Sequence, residues 1–425
     1  MLSTWGHISS SFPIGRNDEL GEIEANPKAS GVRRRLGLMV AEDSRWIGGS
    51  IYLRNLIHIL ASLPPPERPE VVLLGGVTAK STLVRHLTSF EFVKGIGPAN
   101  EVTAMFGRAG ARMERLLWYA ASRFRGSARF PRIDLEFPVV KVGMRPWPGL
   151  YWIPDFQHAA MPQLFSEKER GWRDAAYARI ARQHAVLVLS SQAALADFQR
   201  FYSGSEVRPR VWSFCSSLDK AEPGGANPHD TYGLPDKFLY VPNQFWVHKD
   251  HATVFRALGL LRDKGLAPTV VCTGSQEDYR HPEHFSRLME DASRSGVAAQ
   301  IRCLGLVPRE DQREIFRHAA AVVQPSLFEG WSTVVEDAKC LGRPLIVSDI
   351  PSHLEQVAGR AHVFRAGSPE DLARLLEGVW PRLSPGPDPS AERAALEETG
   401  RRRPGLARAF MGLVEEAIEM NRNGR

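Results

Sequence analysis

Short apolar runs that each lead into a helix-like stretch recur along this chain, and they leave it few folds to adopt. LGLMVA (36–41), EVVLLGGV (70–77) and HAVLVLSSQAALADFQRF (184–201) follow this order in the first half. FLYVP (238–242), TVVCTG (269–274), AAVVQPS (320–326) and RPLIVSD (343–349) follow it in the second. A strand that is apolar without alternation is buried on both faces, which is the signature of a parallel sheet covered by helices. Between the halves, 217–237 is dense in Pro, Gly, Asn and Asp and reads as a linker. The chain's 425 residues also exceed the usual size of one domain. The expected fold is therefore α/β, with two doubly wound, Rossmann-like parallel-sheet domains facing a cleft. Its expected parts are a polar N-terminal tail (1–35), a first domain (36–216), the linker, a second domain (238–385) and C-terminal helices (386–425) that pack back on the first domain.

Composition narrows the partners. No run approaches the roughly 18 uncharged apolar residues of a membrane-spanning helix, and the first twenty residues predict no signal peptide, so a cytoplasmic location is expected. Cys215, Cys272, Cys303 and Cys340 form no CxxC pair, which argues against a zinc knuckle or a disulfide framework. The net charge of +6 suggests an anionic partner. Much of the basic character sits in 105–132, where seven arginines interleave with Met, Leu, Trp, Tyr and Phe beside a single acid, Glu114. That stretch reads either as an interfacial helix on anionic lipid at the inner membrane face or as a solvated amphipathic helix. No helix-turn-helix, zinc finger or RNA-binding pattern appears, so no nucleic-acid partner is expected.

In open parallel sheets ligands bind beyond the carboxyl ends of the strands, and phosphates favour helix N-termini. The segment AVVQPSLFEGWSTVVEDAKCLG has that layout: a strand, a loop with Glu329 and Gly330, then a helix starting near Ser332 or Thr333. Gly330 is expected to let a ligand approach the backbone. On a helical wheel, Val334, Ala338 and Leu341 share an apolar face; Asp337 lies roughly 60° from its centre and Glu336 roughly 160° away. Asp337 is thus expected to face the interior or a cleft, and Glu336 solvent.

These residues carry a resemblance. PSLFEGWSTVVEDAKCLGRPLIVSD resembles the donor-site segment of the retaining family-four glycosyltransferases (glycosyl transferases group 1) of the glycosyltransferase-B fold, with an acid, a glycine, and a second acid eight positions on. The resemblance implies that Glu329 contacts the donor sugar, that the amides around Trp331, Ser332 and Thr333 hold the diphosphate, and that Asp337 binds the ribose hydroxyls. Asp337 stands where the family has a longer Glu, and Ser332 where Gly is common. VPNQFWVHKDH (241–251) resembles the family's phosphate loop, Lys249 matching its lysine and Gln244 replacing its arginine. Gly274, with Leu306 and Val307, falls on segments similar to those flanking the nucleotide base. Gly48 and Gly49 resemble the glycine loop beside the diphosphate and acceptor. His158, in YWIPDFQHAAMPQLFS, is similar to the histidine that faces the donor sugar.

The resemblance thus implies a metal-independent, retaining hexosyltransferase without a cofactor. Its donor would be a nucleotide-diphosphate sugar, a GDP-sugar favoured and a UDP-sugar the alternative. The sugar would be a hexose or deoxyhexose, mannose-type favoured, and the acceptor a saccharide or polyprenyl-linked saccharide in surface polysaccharide synthesis. The catalytic group would be His158, Glu329 and Lys249. Rival readings are a nucleotide-sugar epimerase or hydrolase on the same fold, and a non-catalytic basic scaffold or nucleic-acid-binding protein.

Overall fold

The structure, a computed structural model, describes residues 33–40, 47–74, 81–96, 133–143, 147–220 and 226–423. Residues 1–32 of the expected tail and the whole basic stretch 105–132 lie outside them. Two sheets organise the described residues. The first runs β3-β2-β1-β4-β5-β6-β7, from β1 (Arg35–Met39), β2 (Glu70–Leu74), β3 (Val93–Ile96), β4 (Leu135–Val139), β5 (Gly149–Trp152), β6 (Val186–Leu189) and β7 (Arg208–Val211). The second runs β10-β9-β8-β11-β12-β13, from β8 (Phe238–Val241), β9 (Thr269–Cys272), β10 (Ile301–Cys303), β11 (Ala321–Gln324), β12 (Leu345–Ser348) and β13 (His362–Phe364). Every pairing is parallel.

The apolar runs explain the layers. In β8, Phe238 and Tyr240 enter one core beneath the sheet while Leu239 and Val241 enter another above it. In the first sheet Leu36, Leu38, Leu135 and Phe137 pack on one side, and Tyr151, Leu187 and Leu189 on the other. Successive side chains alternate faces, and both faces are dry, so the chain has no reason to alternate polarity.

Each sheet reverses its winding direction once, between β1 and β4 and between β8 and β11. Such switch points leave a crevice outside the strand ends. Residues 33–425 form one unit, and the two crevices face each other within it.

The two C-terminal helical patterns are one 35-residue helix, Pro389–Asn423, with Pro404 inside it. Its second half completes the first domain's core through Phe410, Leu413, Val414 and Ala417. Arg34–Glu415 at 2.6 Å and Arg210–Glu416 at 2.7 Å fasten its outer face. Its first half reaches the second domain, where Glu392 takes Arg317 at 3.1 Å. One helix therefore staples both domains. The described part of the expected linker holds a turn at Leu218–Lys220 and a short helix at Pro228–Tyr232.

Candidate functional site

A cavity of about 420 Å³ opens between the switch points. Of the residues singled out from sequence, Gly48, Gln244, Lys249, Gly274, Leu306, Val307, Glu329, Gly330, Trp331 and Thr333 line it. Gly49, His158, Ser332 and Asp337 do not.

The second-domain wall is built from loops at the ends of β8, β9 and β11. Gly274 has φ 134°, a backbone that L residues rarely adopt, and a Cβ there would lie 2.4 Å from the Asn243 carbonyl oxygen. Glycine lets the β8 and β9 loops touch. Beyond Asn243 and Gln244 the chain makes a single turn, Val247–Lys249, before Asp250 caps the His251–Arg262 helix by accepting from Thr253 N at 3.3 Å, and from the Thr253 hydroxyl at 2.6 Å. That turn aims Lys249 across the end of β11.

Lys249 Nζ donates to Glu329 Oε1 at 2.6 Å. The same oxygen accepts from the Ser326 hydroxyl at 2.7 Å and from Gln324 Nε2 at 2.9 Å. Burial pushes the Glu329 carboxyl up, but the charges of Lys249 and His353, with the hydrogen bonds from Lys249 and Ser326, outweigh it and hold the group below its ordinary value. Glu329 is thus an anion in place, and Lys249 a cation in place.

Gly330 has a different purpose from the one expected. A Cβ there would stand 2.1 Å from the Pro154 carbonyl oxygen and 3.1 Å from Asp155 Cβ. The close approach comes from the first domain itself. Trp331 extends the same contact: its indole N–H donates to the Phe214 carbonyl at 3.0 Å while its ring lines the cavity.

At the start of the Thr333–Cys340 helix, Ser332 is the buried N-cap, its hydroxyl accepting from Val335 N at 3.4 Å. Its own amide is taken by Gln356 Oε1 at 2.9 Å, so it is not open to a diphosphate. Thr333 and Val334 present the helix start to the cavity.

Asp337 is buried and does not reach the cavity wall. Arg309 Nη2 bonds both its oxygens at 2.9 Å, and the Ser216 hydroxyl donates to it as well. Arg309 stands in front and lines the cavity in its place. Glu336, expected in solvent, is only 1% exposed. The helical wheel assumed one covered face, but this helix is enclosed all round. Lys339 Nζ at 3.0 Å and Arg402 of the C-terminal helix at 3.6 Å flank the Glu336 carboxylate.

On the first-domain side, Gly48 and Gly49 lie in the first turn of the Ile47–Ala61 helix and not in a loop before it; Gly49 is buried. His158 is a correction too. Its side chain is wholly buried, its Nε2 lies 3.1 Å from Asp174 Oδ1, and its ring packs edge-on against Tyr177 at 5.1 Å. The turn at the end of β5 explains this. Asp155 Oδ1 accepts from Gln157 N at 3.0 Å, which closes a tight turn and carries His158 into the core while leaving Asp155 and Gln157 on the wall.

Residues that the sequence reasoning did not name complete the wall: Tyr52 and Arg54, Asn243, Trp246, and Arg309 with Gln312. Asp155 had a legible signal, a polar group at a strand's carboxyl end. Arg309 had none, since arginine in a helix's first turn is commonly solvated.

Residues 235–380 match the model of the family "Glycosyl transferases group 1". No curated protein sequence matches the chain. Among solved structures, HepE from Anabaena, crystallised with UDP and glucose, is similar at a TM-score of 0.63 and 13% identity, covering 90% of this chain and 100% of its own. A glycosyltransferase from Rickettsia africae matches at 0.61 and 14%, covering 91% and 99%. Sucrose-phosphate synthase from Thermosynechococcus elongatus matches at 0.59 and 15%, covering 92% and 99%. The second domain of this chain is therefore similar to the glycosyl transferases group 1 over residues 235–380, and the chain as a whole has the glycosyltransferase-B fold.

Proposed function

We propose that this chain is a retaining glycosyltransferase that moves a hexose or deoxyhexose, mannose-type favoured, from a nucleotide-diphosphate sugar to a saccharide or polyprenyl-linked acceptor. The observation that carries the reading is the Lys249–Glu329 pair, 2.6 Å apart beside the start of the Thr333–Cys340 helix on the cavity wall. When the bond between sugar and diphosphate breaks, negative charge builds on the departing phosphate. A cation held in place and a helix N-terminus stabilise that charge without having to reorganise. Glu329 holds Lys249 in position and turns its outer face to the sugar. Arg309, not Asp337, meets the ribose; Asp337 acts through it.

The cavity volume falls in the range of small-molecule sites, about 300–1,000 Å³. The resemblance favours a GDP-sugar, whereas the HepE complexes hold UDP and UDP-glucose. A thermal-shift panel of UDP, GDP, ADP, dTDP and their sugars separates these bases. A ligand at a hundredfold excess over its Kd stabilises the native state by about 2.7 kcal/mol. One nucleotide family is expected to shift the wild type and not Lys249→Ala; no shift from any of them would sink the reading. Donor breakdown without an acceptor distinguishes the rival hydrolase or epimerase.

Surface polysaccharide synthesis at the inner face of the cell membrane fits the composition of 105–132. Among the described residues no helix is long and apolar enough to cross a membrane. Flotation of the full chain with anionic vesicles, compared with an Arg123→Glu, Arg125→Glu variant, tests peripheral attachment, and equal flotation of both would refute it.

A further inference from the structure

We propose that this chain binds a single-atom anion, chloride under ordinary conditions, in a second and smaller cavity beside the first. That cavity measures about 10 Å³ and is lined by Ile51, Arg54, Asn55, Ser217, Leu218 and Arg309. Its volume holds one particle the size of a water and excludes a polyatomic group. Ile51, Arg54 and Arg309 also line the larger cavity, so the two adjoin. The lining residues come from three parts of the chain: the Ile47–Ala61 helix of the first domain, the beginning of the linker, and the start of the Arg309–His318 helix of the second domain. An anion there would tie all three together, whatever the larger cavity transfers.

The sign of the ligand's charge follows from what faces it. Asn55 is 1% exposed, and its Oδ1 accepts from Ser217 N at 2.9 Å and from the Ser217 hydroxyl at 2.7 Å. A backbone N–H can only donate, so the amide cannot be turned round, and Nδ2 points away from Ser217. There Nδ2 is buried with no partner among the described residues. Buried donors are nearly always satisfied, so this one calls for an acceptor.

The arginines make that acceptor an anion. Among the described residues Arg54 hydrogen-bonds only to His86 Nδ1 at 3.4 Å and closes no ion pair. Glu310, the acid whose charge reaches it, is exposed. Arg309 brings a second guanidinium, which Asp337 offsets through two contacts of 2.9 Å. Burial first, and the charge of Arg309 second, hold Arg54 below its ordinary value, which is the state of a cation with too little negative charge around it. Among the described residues no carboxylate lines the cavity. A water there would accept from Nδ2 and leave the two guanidinium charges repelling each other. A halide accepts the same hydrogen bond and also offsets Arg54.

The test compares melting temperatures of the full-length wild type, Arg54→Leu and Asn55→Asp in sodium chloride, sodium bromide and sodium gluconate. Ionic strength is fixed throughout, so that general screening is the same in each salt. An anion that binds the native state raises its stability with the logarithm of anion concentration above Kd. The wild type is expected to melt progressively higher as chloride or bromide replaces gluconate. Arg54→Leu should melt close to the wild type in gluconate and gain nothing from chloride. In Asn55→Asp a carboxylate oxygen takes the place of Nδ2 beside the arginines, so this variant should melt as the halide-loaded wild type does, in every salt. Crystals of the wild type soaked in bromide should show an anomalous peak beside Asn55 Nδ2. Equal melting of the wild type in all three salts, or a halide effect that survives in both variants, overturns the proposal. So does an anomalous map without bromide at Asn55, which would assign the cavity to water.

Discussion

The two walls of the cavity treat charge in opposite ways. On the second-domain wall each cation has an anion: Lys249 holds Glu329 at 2.6 Å, and Arg309 holds Asp337 through two contacts of 2.9 Å. On the first-domain wall, among the described residues, Arg54 hydrogen-bonds only to His86 Nδ1 at 3.4 Å, and Asp155 only within its own turn. The Tyr52 hydroxyl there is buried with no partner among the described residues. Burial, and then Arg309 facing it, push the Arg54 guanidinium below its ordinary value, and the charge of Glu310, with no ion pair formed among the described residues, does not offset them. A wall whose charges are matched keeps its shape whether or not a ligand is present. A wall with unmatched groups is completed by what binds. On the proposed reading, the difference suits the second domain to rigid capture of a nucleotide and the first to a partner that brings its own hydrogen bonds.

Removing one arginine from each wall tests this most directly. Arg309→Leu leaves Asp337, 2% exposed, with only the Ser216 hydroxyl, and breaking a buried pair in this way costs about 3–5 kcal/mol. Arg54→Leu removes a cation that closes no ion pair among the described residues and should change stability by less than about 0.5 kcal/mol. Urea denaturation of both variants reads the contrast, and equal losses would erase it. Lys249→Met comes next, at about 3 kcal/mol, because Ser326 and Gln324 still hold Glu329 after its counter-ion is gone. The sign of its pH dependence is set by Glu329. A carboxyl held below its ordinary value contributes stability above that value and loses it as pH falls through the folded one. In Lys249→Met burial prevails, so this contribution should disappear from acid titrations of stability.

The same contrast explains what could be read from the sequence. The sheets were legible because an apolar run buried on both faces is a local pattern. So was much of the second-domain wall, since strand, glycine, cap and helix follow one another within AVVQPSLFEGWSTVVEDAK. The first-domain wall depends on turns and on partners far along the chain. Asp155 and His158 stand three residues apart after one strand, and only the hydrogen bond from Gln157 N to Asp155 decides which of them faces the cavity. Glu336 was misplaced for a related reason. Its burial comes from a helix more than fifty residues away, through Arg402, which no window around Glu336 contains. Asp337 pointed inward as the wheel required, but the partner it met was Arg309.

Gly330→Ala probes the contact between the walls and should rank below the charge variants. The added methyl would stand 2.1 Å from the Pro154 carbonyl oxygen, so one loop must yield. Overpacking of this kind costs about 1–3 kcal/mol. Because the loops that move carry Glu329 and Asp155, turnover should fall further than stability does. Gly330→Ala with full activity would mean that the walls are not held in register by this approach.

The smallest effect lies behind the walls, in histidines that burial keeps neutral. In the first domain His58 is pushed down to about 3 by burial and then by His86, whose Nε2 is 3.0 Å from its own. His86 is lowered to about 4 by burial and then by the charge of Arg54. In the second domain burial lowers His251 to about 3 and His353 to about 4. An unfolded histidine takes up its proton near pH 6.5, whereas these wait until the pH is far lower. Between those values the unfolded chain binds more protons, so stability falls as pH drops from about 6.5 toward 4, and each such group adds up to about 1.4 kcal/mol per pH unit to the slope. His86→Gln should flatten the slope by more than one such group, because it removes one titration and also relieves its neighbour, letting His58 rise toward its ordinary value and contribute less. His353→Gln should remove one group's share, since no second histidine shifts it and, among the described residues, its ring bonds only Ser348. Stability measured by urea denaturation at several pH values separates the two. Equal flattening would mean that the His58–His86 contact carries no coupling, and that in this respect the two domains are alike.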